Sequence, residues 1–147
     1  MEPDPVVSQR RVQRNTMDNS EWRPPSDYER QIMERLLAVE FPGVQELRTQ
    51  LAGCLVKTSG GYGTVKIQSK CPLAAKVVDR VPVEAVANDA DGYGIHYLLH
   101  VIDGFADELE VFTETLLDII KTPDPSSLRV QVNCAIDPDL KKRFGIQ

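Results

Sequence analysis

The sequence predicts an α+β domain with two N-terminal helices packed on one face of an antiparallel sheet. Three observations carry this. Helical periodicity with a capping signature occupies the first structured stretch. Successive β-rich runs follow it, joined by short connections rich in Gly, Asp and Pro. No βαβ alternation appears anywhere. The chain has 147 residues, 41% hydrophobic and 27% charged, enough for one modest core. Apolar content near the globular norm excludes disorder throughout.

A polar tail over residues 1–21 precedes the domain, which is expected over 22–134, and a mobile tail over 135–147 follows it. Pro3, Pro5, Pro24 and Pro25 punctuate the opening stretch, where no periodicity is visible. Met17 is an alternative start, because the structured pattern begins only after it. Trp22 stands beside the first helix and is expected to pack on the domain. Ser26 followed by Glu29 is an S-x-x-E capping box, and the two prolines before it stop backward extension. Tyr28, Ile32, Met33, Leu36 and Leu37 then share one helix face, with Pro42-Gly43 closing the helix near Glu40. Val44, Leu47 and Leu51 make the stripe of a second helix that stops at Gly53.

The remainder reads as strands. Cys54–Thr58 and Thr64–Ser69 flank the Gly-rich connection Ser59–Gly63. Lys76–Val81 and Val83–Ala87 are β-rich on either side of Pro82, which marks an edge, bulge or break. Asp89-Ala90-Asp91-Gly92 is a turn, Ile95–Ile102 pairs with Asp107–Phe112 across Asp103-Gly104, and Leu128–Val132 is a last strand after Pro123-Asp124-Pro125-Ser126. Thr113–Lys121 is either a short helix or an irregular apolar loop.

The central hairpin has two registers. A plain two-residue turn sets Leu99 opposite Glu108 and Tyr97 opposite Glu110, which lands carboxylates on the apolar face. One added residue in the turn, as in a G1-type bulge loop, sets Leu99 opposite Leu109, Tyr97 opposite Val111 and His100 opposite Glu108. The second register makes one face apolar and is preferred. The other face then carries His96, His100, Glu108 and Glu110, with Leu98 and Phe112 among them. On a strand, His96 and His100 lie about 13 Å apart, too far to share one metal ion. A cross-strand His–Glu pair is the simplest reading of these residues, with a response to pH around neutrality.

From Glu84 to Asp118 the chain has nine acids and no Lys or Arg, whereas Lys57 to Arg80 holds five basic residues and one acid. A net charge of −5 argues against nucleic-acid binding as the main task. Asp89-x-Asp91-Gly92 fails as a calcium loop, because the first and twelfth positions fall on Ala87 and Leu98. Ser59–Gly63 lacks the Lys-Ser/Thr of a phosphate loop, and no nucleophile elbow or H-E-x-x-H is present. Cys54, Cys71 and Cys134 form no C-x-x-C pair; Cys54 and Cys134 read as core residues and Cys71 as the least buried. No signal sequence or membrane span is visible, so a cytoplasmic protein with reduced thiols and no cofactor is expected.

Arg23-Pro24, Glu29, Leu36-Leu37, Phe41-Pro42-Gly43 and Glu46-Leu47-Arg48 resemble the helical opening of a family of small bacterial proteins of unknown function. Asp91-Gly92, Ile95–Val101, Asp103-Gly104 and Glu108–Phe112 resemble its sheet, and Pro123–Leu128 its closing turn. The resemblance runs over residues 23–132 and implies no activity, cofactor or site residue. Function is therefore expected from the charged face: a non-catalytic interaction or accessory domain using His96, His100, Glu108 and Glu110, with a basic protein as partner. The alternative is a small metal-dependent hydrolase using the same residues.

Overall fold

In the computed structural model, which describes residues 21–133, the first helix starts where Ser26 caps it. The expectations for the two tails, apart from Glu21, and for Met17 and Cys134 lie outside the described residues. Helix α1 (Asp27–Leu36) has both halves of the capping box: Glu29 N–H donates to Ser26 Oγ, and Ser26 N–H donates to Glu29 Oε1. Arg23 forks onto the same carboxylate at 2.7 and 2.9 Å. These bonds, Arg23 first, hold the Glu29 carboxyl below its ordinary range. The helix ends earlier than the sequence suggests. Arg48 Nε donates to Leu37 O, and the chain turns so that Leu37 and Phe41 both enter the core. Helix α2 (Val44–Ala52) follows at once and buries Val44, Leu47 and Gln50.

Six strands form one sheet: β1 (Leu55–Thr58), β2 (Val65–Gln68), β3 (Val83–Asn88), β4 (Gly94–Ile102), β5 (Phe105–Thr113) and β6 (Arg129–Val132). Their spatial order is β1-β2-β5-β4-β3-β6, with every neighbouring pair antiparallel. One face holds Val56, Val65, Ile67, Val83, Ala85, Ile95, Tyr97, Leu99, Leu109 and Val111, all in one buried cluster with Ile32, Met33 and Leu36 of α1 and Leu47 of α2. The α+β arrangement expected from sequence is the arrangement observed. Each fully buried Leu or Ile contributes about 1.5–3 kcal/mol, so this shared cluster, more than helix propensity, holds the short helices in place.

Two local expectations are corrected. Lys76–Val81 is not a strand. Strand β2 lies beside β5, whereas β3 lies beside β4, so residues 69–82 must cross the end of the β4–β5 hairpin. Both sides of β3 are already occupied by β4 and β6, and the crossover makes single bonds instead: Ala75 N to Gly104 O at 2.7 Å and Val101 N to Arg80 O at 2.7 Å. Second, the hairpin register is the preferred one, but the extra residue is not in the turn. Asp103 and Gly104 both have positive φ (52° and 88°), the signature of a two-residue type I′ turn. The register shifts between His100, opposite Glu108, and Val101, opposite Ala106, which leaves Asp107 as a bulge within β5. The I′ turn matches strand twist, so the added residue moves into the strand. Trp22 lies against the domain through Lys57 of β1, whose ammonium is 5.7 Å from its ring centre, and is 39% exposed.

Thr113 closes β5, and residues 114–121 resolve as an irregular loop. Asp89 anchors it: the buried carboxylate accepts from Ile120 N (2.8 Å) and Lys121 N (2.9 Å). The acid of a failed calcium pattern thus serves as a loop clasp. Cys54 is buried, which pushes its thiol pKa up, and Cys71 is half-buried.

Candidate functional site

Strand alternation places His96, Leu98 and His100 on the face of β4 opposite the core, and Glu108, Glu110 and Phe112 on the same face of β5. No described helix packs there; both helices join the cluster on the other face. The ladder registers give the surface its rows. One reads Arg129, Val86, His96, Phe112 from β6 to β5. The next reads Gln131, Glu84, Leu98, Glu110. A third reads His100, Glu108, Lys66, Lys57 from β4 to β1.

The four residues expected at the site share this face, but the two histidines belong to separate His–Glu pairs, one of them with Glu114, and Glu108 belongs to neither. His100 lies directly opposite Glu108, yet its Nε2 bonds Glu110 Oε1 at 2.8 Å, one step along the diagonal. His96 lies opposite Phe112 and stacks on it, ring centres 4.8 Å apart and 5° from parallel. Its Nε2 reaches Glu114 Oε2 at 2.8 Å, again the carboxylate two residues beyond the direct neighbour. The repeated diagonal reflects sheet twist and the reach of a Glu side chain. Glu114 Oε1 also accepts from Gly94 N at 3.0 Å. That backbone bond, then His96, holds the Glu114 carboxyl below its ordinary range.

Sequence reasoning missed Glu114, because it lies just past the strand in the stretch left open as helix or loop. It also missed Lys66, which approaches Asp107 at 3.1 Å and Glu108 at 3.6 Å. Those partners, Asp107 first, raise the Lys66 ammonium pKa. The bulge that frees Asp107 from the ladder makes this contact available. The face is therefore mixed: Glu84 and Glu110 flank Leu98 centrally, with Lys57 and Lys66 towards one edge and Arg129 at the other. Of the acidic run, Asp89 is consumed in the loop clasp, and Asp91 caps its own turn by accepting from Tyr93 N.

One trio has ligand geometry. Donor atoms of His100, Glu108 and Glu110 lie within 4.8 Å of one another, a spacing that suits a divalent cation. Two features oppose that use. The Lys66 ammonium already lies 3.6 Å from Glu108, and His100 Nδ1 is buried with no hydrogen-bond partner among the described residues. A metal on Nε2 would force the ring proton onto Nδ1, where no acceptor orients it. His96 stands apart from the trio and borders a hollow of about 120 Å³ with Glu84, Val86, Arg129 and Gln131.

Among the described residues no helix is long and apolar enough to cross a membrane. No curated protein and no solved structure matches the chain. A family model does match, over residues 22–123, which takes in both helices, five of the six strands and both His–Glu pairs. The chain belongs to the family described as a domain of unknown function, DUF6984.

Proposed function

We propose that this domain is a non-catalytic interaction module that docks a basic protein partner on the outer face of its sheet. The observation that supports this reading is the central row Glu84, Leu98, Glu110, an apolar side chain between two carboxylates on a face that no described helix packs against. Such a row suits a Lys or Arg flanked by apolar side chains, and charge complementarity would speed capture. His96, His100 and Glu108 border the row and are contact residues in this reading. The test is charge reversal: Glu108→Lys with Glu110→Lys, compared with the unaltered protein after gentle purification from its own host and native mass spectrometry. Loss of a co-purifying basic polypeptide supports the proposal. Retention of every partner by the doubly reversed protein sinks it.

A second reading, a metal-dependent hydrolase built on the same residues, draws on the 4.8 Å grouping of His100, Glu108 and Glu110. Zinc titration followed by calorimetry separates the two. Saturable binding that disappears in Glu110→Gln would favour the metal reading; heats indistinguishable from buffer would remove it.

A further inference from the structure

Three of the chain's four tyrosines converge on one cavity on the helix side of the sheet, away from the outer face. Its volume is about 240 Å³. Tyr97 and Val111 come from the sheet, Tyr28 and Ile32 from α1, Tyr62 from the β1–β2 connection, and Ile119 from the loop clasped by Asp89. Five different segments of chain thus build one concave wall, most of it aromatic or aliphatic. Sites of that make-up with a few fixed polar groups are where small ligands bind.

Two of the lining hydroxyls, those of Tyr28 and Tyr97, have defined roles. Tyr28 Oη donates to Pro123 O at 3.1 Å, so the 2.8 Å contact between the two hydroxyls is a donation from Tyr97 to Tyr28. Tyr97 Oη has then spent its hydrogen and keeps its lone pairs. Glu29 at the rim is already engaged by Arg23 and by Ser26 N–H. Tyr97 Oη therefore offers an acceptor to an incoming group. Burial keeps the Tyr97 phenol neutral by raising its pKa.

Tyr62 is held in a left-handed conformation (φ 63°, ψ 11°) between Gly61 and Gly63. A bulky residue adopts that region at a cost, and such strain collects at ligand sites. Here it fixes an aromatic ring at the cavity. A cavity of about 150 Å³ already accepts benzene, so this volume suits a single substituted ring.

We propose that this cavity binds a small neutral aromatic molecule of the phenol class, its ring among Tyr28, Tyr62, Tyr97 and Ile119 and its hydroxyl donating to Tyr97 Oη. The proposal is independent of the outer-face reading. It is tested with phenol and toluene as probes, titrated into the full chain with aromatic 13C NMR shifts as readout. Phenol is expected to shift the Tyr28, Tyr62 and Tyr97 ring signals saturably and to bind at least fivefold tighter than toluene. Tyr97→Phe should remove that preference, and Ile119→Trp, which fills the cavity from the loop, should abolish the shifts. Absence of saturable shifts with phenol, equal affinity for the two probes, or phenol binding unchanged in Ile119→Trp would each overturn the proposal. The wild-type comparison and the loop variant decide the matter even if Tyr97→Phe does not fold.

Discussion

Gln50 on α2 is fully buried and ties three parts of the chain together. Its Nε2 donates to Leu73 O (2.8 Å) in the crossover and to Gly104 O (2.9 Å) at the β4–β5 turn, while its Oε1 accepts from Ala106 N (2.9 Å) in β5. Gln50→Met keeps length and apolar volume but removes all three bonds. Gly104 O retains Ala75 N, so its loss is small. Leu73 O is part-buried and regains some solvation. Ala106 N is left in the interior without an acceptor, at about 1–3 kcal/mol. With the two weaker bonds, the total is about 2–5 kcal/mol, a large share of the 5–15 kcal/mol typical of a domain. Urea unfolding followed by circular dichroism would measure it, and amide hydrogen exchange would locate it, since Ala106 N–H should lose protection first. A loss under about 1 kcal/mol with Ala106 still protected would refute the assignment of Gln50 as the tie between α2 and the hairpin.

Gly104→Ala should destabilise by at least about 1–2 kcal/mol from its left-handed backbone alone. The added Cβ would also lie 2.7 Å from Ala74 Cβ and 3.0 Å from Ala75 O, so the melting temperature should fall and crossover signals should shift. Thr64→Val should cost about 1–3 kcal/mol by urea unfolding, because the Thr64 hydroxyl both accepts from Val111 N and donates to Val111 O. For Glu29 the folded carboxyl lies below its ordinary value of 4.5, so its stabilisation is complete above that pH and is lost as pH falls through the lowered folded value. Glu29→Gln should therefore weaken the protein at neutral pH and flatten stability against pH below about 4.5, as acid titrations of the two proteins would show.

The helices were legible because their signals are local: a capping box spans four residues, and an apolar stripe repeats every three or four. The central hairpin was legible for a related reason. Strand alternation has period two, so only one parity of register keeps carboxylates off the core. That parity alone puts His96, His100, Glu108 and Glu110 on one face. The partners of those histidines were less legible. Glu110 and Glu114 are reached along the diagonal, which depends on twist, and Lys66 comes from a strand distant in sequence.

What the sequence determined by itself is the class of fold, the two helices, the hairpin parity and the sidedness of the charged residues, all set by interactions between near neighbours. Strand order, the crossover at residues 69–82, the placement of the bulge at Asp107 and the tie through Gln50 were decided only in three dimensions. So was the gathering of Tyr28, Tyr62 and Tyr97 around one cavity. Each depends on which distant segments become adjacent, and that is settled by burying one shared apolar surface while giving every interior backbone group a partner.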